Sequence, residues 1–83
     1  MYYVYLIQSK KKPDWNYIGY SENLKKRIES HNKFKNLATK PYAPFTLLYY
    51  EAFRKNNDAL RREKYLKTSK GKRTLRLMLS EEI

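Results

Sequence analysis

Tyr2-Tyr3-Val4-Tyr5-Leu6-Ile7-Gln8, followed after Ser9-Lys10-Lys11-Lys12-Pro13-Asp14 by Trp15-Asn16-Tyr17-Ile18-Gly19-Tyr20, is the stretch that decides the fold. Its first segment is aromatic and β-branched, a composition that fits a pleated, half-buried surface and predicts a strand. The lysine-rich segment around Pro13 reads as a turn, and Trp15 to Tyr20 as a second strand, which makes a hairpin with a longish loop. Side chains alternate across a strand, so Tyr3 and Tyr5 share one face of the first strand, and Tyr17 and Gly19 one face of the second. Most tyrosines in such a hairpin serve as core or cross-strand pairs. Exposed ones are free to stack on unpaired bases.

Outward from the hairpin, Ser21 is placed to cap a helix running to about Phe34. Asn36 to Pro44 holds two prolines and no clear period, which predicts a loop. Phe45 to Phe53 reads as a third strand, well covered by the rest of the domain. Asn56, Asn57 or Asp58 can cap a second helix to about Lys67, and Ser69 a third to about Leu79. The order β-β-α-β-α-α predicts an α+β fold, a three-stranded antiparallel sheet flanked by three helices. The chain of 83 residues makes one domain, residues 1–83, with no repeat and no linker. At this size folding buries only about 60% of the unfolded surface, so each core position matters.

Composition removes several function classes. Cysteine is absent, which excludes a disulfide framework, a thiolate zinc site and a thiol nucleophile. The longest apolar stretch, Leu47-Leu48-Tyr49-Tyr50, is far too short to span a bilayer, and the first residues have no basic n-region or cleavage signal. These features predict a soluble, cytoplasmic protein. Nineteen Lys and Arg against eight Asp and Glu give a formal net charge of +11. Such a charge suits a polyanion, because each phosphate neutralised releases condensed counterions. A solubilising surface or a ribosomal association would also carry it. A membrane surface fits least, since an interfacial anchor concentrates its charge in one amphipathic segment and these charges are spread along the chain.

At 100° per residue, Leu24, Ile28 and Phe34 mark the apolar stripe of the first helix, and Arg27 and His31 fall inside the same arc. Ala59, Leu60 and Leu66 define the buried face of the second helix, with Glu63 in its middle. A charge centred on an apolar stripe costs several kcal/mol unless it is paired, solvated in a cleft or bound to a metal. One explanation is structural, a buried Glu63–Arg27 pair beside a hydrogen-bonded core histidine. The other is a cleft where the three residues meet a ligand, since violated patterning is expected at functional sites.

Tyr3-Val4-Tyr5 followed by Tyr17-Ile18-Gly19 resembles the paired motifs that name the GIY-YIG nuclease superfamily. Arg27 and His31 within Asn23-Leu24-Lys25-Lys26-Arg27-Ile28-Glu29-Ser30-His31 continue the resemblance, as does Glu63 within Ala59-Leu60-Arg61-Arg62-Glu63-Lys64. Pro44 to Glu51 is similar to the third strand of short stand-alone members. The likeness spans nearly the whole chain. It departs at Tyr3 and Val4, which replace the Gly and Ile of the first motif. No Asn follows Asn57, where many members carry one that supports the site; Lys67, Thr68 or Lys70 occupies that part of the chain.

The resemblance implies a metal-dependent endonuclease that hydrolyses DNA phosphodiester bonds with low sequence specificity or in response to DNA structure. It implies Tyr5, Tyr17, Arg27, His31 and Glu63 as the catalytic set, with Glu63 holding one Mg²⁺ or Mn²⁺. One carboxylate suffices for such an ion, because Mg²⁺ keeps several waters and takes phosphate oxygens as further ligands. Arg27 would fork onto non-bridging oxygens, and Tyr17 would orient water or phosphate. Tyr5 would help deprotonate the attacking water, with His31 taking the proton onward or acting as the base itself. A phenol of pKa about 10 would need roughly 2.7 kcal/mol of differential stabilisation to reach about 8, supplied by Arg27, the metal and nearby lysines. Lys10, Lys11, Lys12, Lys25, Lys26, Lys67, Lys70, Lys72 and Arg73 would position the nucleic-acid backbone without reading bases. A non-catalytic nucleic-acid-binding module is the alternative, as is a subunit active only with a partner protein. A homodimer is also open, because a double-strand cut needs two sites.

Overall fold

The computed structural model describes residues 1–81. Strands β1 (Tyr2–Ser9), β2 (Asn16–Ser21) and β3 (Phe45–Phe53) form one sheet in the order β2-β1-β3. Both pairings are antiparallel, so the α+β reading and the order β-β-α-β-α-α hold. Helix α1 (Leu24–Asn32) packs on one face of the sheet; α2 (Asn56–Leu66) and α3 (Ser69–Met78) pack on the other.

Strand alternation divides the core in two. Val4, Leu6 and Ile18 point toward Ala59, Leu66 and Leu75 of α2 and α3. Tyr5, Ile7 and Phe45 point the other way, with Leu24 and Ile28 of α1 and with Trp15, Tyr17 and Tyr42 around them. The register sets Tyr5 opposite Gly19 and Ile7 opposite Tyr17. Both faces of β1 are therefore buried, as a central strand requires, and its near-continuous apolar run is explained.

Several local expectations change. Asn23, rather than Ser21, caps α1, its side chain accepting the Lys26 N–H at 3.1 Å. Ser21 instead folds the turn before it, its hydroxyl bonded to both the N–H and the carbonyl of Asn23. The helix stops at Asn32 and Phe34 takes a left-handed φ of 62°, so Phe34 leaves the apolar stripe and is exposed. Leu60 is exposed as well; α2 buries Ala59 and Leu66 instead. Lys55, rather than an Asn or Asp, occupies the start of α2, and Asn56 accepts a hydrogen bond from the Tyr20 hydroxyl. Thr68, rather than Ser69, caps α3 by accepting the Gly71 N–H at 3.1 Å. Strand β3 is an edge strand with Thr46, Leu47, Tyr50 and Ala52 exposed, so the expectation of a well-covered strand fails. The segment from Asn36 to Pro44 is more than loop: it holds a 3₁₀ turn (Lys40–Tyr42) and buries Thr39 and Ala43.

Candidate active site

Tyr5 reaches the α1 face from the middle of the sheet because Gly19 lies opposite it. A Cβ at Gly19 would come within 2.3 Å of the Tyr5 hydroxyl oxygen. The glycine is needed for space, since any side chain there would occupy the position of the phenol. His31, from the last turn of α1, meets this phenol, with Tyr5 Oη 2.7 Å from His31 Nε2. The imidazole is fully buried, enclosed edge-on by the rings of Tyr5, Tyr17 and Phe45 at centroid separations of 5.7, 5.4 and 5.9 Å. Its other nitrogen, Nδ1, lies 2.8 Å from Thr39 Oγ1.

Electrostatics follow from this burial. Loss of solvent, then the positive charge of Arg27, hold the His31 pKa below its ordinary value, so the ring is neutral. Burial pushes the Tyr5 phenol well above its ordinary range, and Tyr17 and Glu63 add to the rise against the opposing pull of Arg27. In the free protein desolvation outweighs the guanidinium, so Arg27 alone does not bring this phenol below its ordinary value. Arg27 and Glu63 thus lie within electrostatic reach of the phenol, and neither makes a hydrogen bond to it among the described residues.

Glu63 does not pair with Arg27. Its partner is Lys67, one turn along α2, with Nζ 3.2 Å from Oε2. The Lys67 ammonium also lies 5.7 Å from the Tyr17 ring centroid, which carries α2's chemistry past the edge of β2 to the α1 face. The long pair across α2 and the sheet belongs to a different glutamate: Arg62 grips Glu51 of β3 with Nε–Oε1 and Nη2–Oε2 distances of 2.8 and 2.9 Å. Arg27 itself is exposed and borders a shallow groove of about 580 Å³, together with Lys26, Lys33 and Lys35.

Tyr5, Tyr17, Arg27, His31 and Glu63 are thus drawn from β1, β2, α1 and α2 to one locality. Lys67 joins them, and Lys25 and Lys26 flank Arg27 on exposed positions of α1. Lys72 is not brought there. It lines a separate cleft of about 480 Å³ with Leu6, Ile18, Leu75 and Arg76, on the α2–α3 side of the sheet. Lys10, Lys11 and Lys12 sit exposed at the hairpin tip, and Lys70 and Arg73 are exposed on α3. Lys33 and Lys35, which border the same groove as Arg27, were not singled out because nothing in their spacing distinguishes them from the other solvated lysines. Thr39 was missed because nothing in the loop's composition marks one hydroxyl as buried.

Residues 1–76 match the GIY-YIG catalytic domain. The chain belongs to the GIY-YIG family. Domains of this family are nuclease domains that act on nucleic acid. This GIY-YIG chain is similar to UPF0213 protein SH2523 of Staphylococcus haemolyticus, 36% identical over 78 residues that cover 93% of each chain. It is also similar to UPF0213 protein CPE1444 of Clostridium perfringens, 36% identical over 84 residues that cover all of this chain and 88% of the other. UPF0213 protein SSP2268 of Staphylococcus saprophyticus is 35% identical over 79 residues, 93% of each chain. No solved structure matches the sequence. No helix among the described residues is long and apolar enough to cross a membrane.

The family implies a divalent metal, and the donor set can be tested against it. Among the described residues no three His, Cys, Asp or Glu side chains gather into a metal cage. Glu63 is a single, partly exposed carboxylate with hard oxygen donors. That suits an ion which retains water and borrows phosphate oxygens, and does not suit zinc, which takes a closed set of protein ligands.

Proposed function

We propose that this protein is a metal-dependent endonuclease that hydrolyses DNA phosphodiester bonds, with low sequence specificity or in response to DNA structure. The observation that carries the reading is the hydrogen bond between the buried Tyr5 phenol and a neutral, buried His31, with Arg27 and Glu63 within electrostatic reach of the phenol. A core histidine needs only satisfied nitrogens. A hydrolytic site needs an acceptor kept neutral and beside a hydroxyl, and this one is.

The chemistry can be followed through the chain's own groups. Glu63 would hold one Mg²⁺ or Mn²⁺, which when bound supplies Lewis-acid stabilisation of the phosphate and of the departing 3′ oxygen. Lys67, which pairs with Glu63 in the free protein, would be available to a phosphate once the carboxylate held the ion. Arg27 presents its fork to non-bridging oxygens, where pentacovalent charge builds up. A standing phenolate–imidazolium pair is too costly to be the base. Even the ordinary values of the two groups, near 10 and 6.5, put it roughly 4.8 kcal/mol uphill, and burial widens the gap. Tyr5 therefore acts as a conduit. It takes a proton from water as its own passes to His31 Nε2, and the proton comes to rest on the imidazole. Tyr17, whose ring touches both His31 and Lys67, orients the water or phosphate.

The Lys67–Glu63 ion pair favours a second reading, a module that docks phosphates without cutting, or a subunit active only with a partner protein. In that reading the lysine permanently neutralises the carboxylate. Labelled duplex, branched and single-stranded DNA, each incubated with Mg²⁺ and with chelator, separate the two. Metal-dependent cleavage of at least one of them is expected. Binding without cleavage of any substrate would select the docking module.

A further inference from the structure

His31 is the chain's single histidine, and it is fully buried. Both ring nitrogens must therefore be satisfied from within the protein. A neutral imidazole offers one N–H and one lone pair, and which nitrogen carries which is set by the neighbours. Thr39 Oγ1 has the Asn36 carbonyl 3.4 Å away, a long contact but an acceptor for its O–H, and with the O–H turned there its lone pairs face His31 Nδ1. On the other side, the Tyr5 phenol is buried and has no hydrogen-bond partner but His31 Nε2 among the described residues. Its O–H needs an acceptor there. Both neighbours demand the same arrangement: the proton on Nδ1 and the lone pair on Nε2.

Thr39 also stands in an unusual role for its position. It is the residue that opens the 3₁₀ turn Lys40–Tyr42, a place where a hydroxyl ordinarily accepts a backbone N–H. It makes no such cap bond. Its side chain is turned inward, fully buried, onto the imidazole.

We propose that Thr39 is a positioning residue that fixes the tautomer of His31, so that Nε2 is the nitrogen that accepts the Tyr5 proton. Nδ1–H donates to Thr39 whether the ring is neutral or protonated, so the imidazole takes its proton without rotating. In the step this serves, the Tyr5 O–H bond breaks and Nε2–H forms, while Tyr5 Oη takes a proton from the water whose oxygen attacks phosphorus. His31 then returns its proton through the Tyr5 hydroxyl, from which it passes to solvent, and the departing 3′ oxygen is protonated from solvent. The catalytic part rests on the nuclease reading above; the tautomer itself does not.

The test is ¹⁵N NMR of the one imidazole in the full-length protein, free of metal and DNA, at a pH where the ring is neutral. Wild type is expected to show a pyrrole-like, protonated Nδ1 and a pyridine-like Nε2. Tyr5→Phe should keep that pattern, because Thr39 still holds Nδ1–H. Thr39→Val should shift it toward the other tautomer, and Thr39→Ser should restore it. In cleavage assays Thr39→Val should lower kcat roughly 100-fold with KM unchanged, at the low end of what a positioned acid–base group supplies, with Thr39→Ser recovering most of it. A protonated Nε2 in wild type overturns the proposal, and so does a tautomer that flips in Tyr5→Phe but not in Thr39→Val. Should Thr39→Val fail to fold, the wild-type and Tyr5→Phe spectra still decide. Should the protein cut no DNA, the nuclease reading falls while the spectra judge the tautomer independently.

Discussion

Gly19 and His31 show how much one residue can carry here. At Gly19 the sequence offers only a motif letter; the structure supplies the reason, which is that Tyr5 lies across it. Gly19→Ala is expected to destabilise the fold by about 1–3 kcal/mol through overpacking, and to displace the phenol enough to lower cleavage about 100-fold. Thermal unfolding and single-turnover cleavage measure the two effects separately, and an alanine variant with native stability and full activity would remove the spatial argument. His31 was legible because helical periodicity put it inside an apolar arc. Its partner Thr39 was not, because the burial of a loop residue depends on where the chain folds back and leaves no period to read. The lowered pKa of His31, caused first by burial and then by Arg27, has a sign that can be checked. Only the neutral ring accepts the Tyr5 proton, so activity should rise with pH through an inflection below the ordinary histidine value of about 6.5 and hold above it. A pH–rate profile with its acid limb above that value would contradict the assignment.

At the scale of elements, α2 is tied to the sheet by a charged clasp that the sequence did not announce. Glu51 of β3 takes both nitrogens of the Arg62 fork and a hydrogen bond from Tyr49 at 2.6 Å. Burial alone would raise the Glu51 pKa, but the hydrogen bonds from Arg62 and Tyr49, with Arg62's charge, hold it below the ordinary carboxylate range. A folded-state pKa below the unfolded one means stability that is present above the ordinary range and is lost as pH falls through the folded value. Denaturation should therefore set in on acidification, with His31 contributing from near 6.5 downward and Glu51 lower still. Glu51→Gln should cost about 2 kcal/mol at neutral pH and flatten the lower part of that pH dependence, as followed by denaturant unfolding. Unchanged stability would show the clasp to be ornamental. The element order was readable because each segment has its own period and breakers. The caps and the coverage of β3 were not: Ser21, Asn23, Asn56 and Thr68 are interchangeable on paper, and edge or centre is decided by which strand β1 pairs with on its second side.

For the whole molecule, a net charge of +11 is distributed unevenly with respect to the site. Lys26, Arg27, Lys33 and Lys35 share a groove along α1 with Glu22 and Glu29, while Lys72 and Arg76 border a cleft behind the sheet. Replacing Lys26 and Lys33 by Gln should weaken DNA binding alike for all sequences and reduce the slope of log K against log salt by about 1.8, roughly 0.9 for each phosphate no longer neutralised. Lys72→Gln should leave that slope unchanged, and the reverse result would place DNA on the other face. The fold class and the family were legible at this scale because the two short motifs, the helix and Glu63 fall on separate elements in a fixed order. The energetics of the site were not, because desolvation of Tyr5 is a property of the assembled core. The central claim is that the cluster around Tyr5 and His31 cuts DNA with an ion held at Glu63. Single-turnover cleavage of labelled branched and duplex DNA by wild type and Glu63→Gln, with Mg²⁺ present and at matched DNA occupancy, tests it most directly. Wild type is expected to cut, and Glu63→Gln to cut at a rate lower by at least about 100-fold, some 2.7 kcal/mol of barrier. Equal rates in the two proteins, or DNA bound and left whole by both, would contradict it.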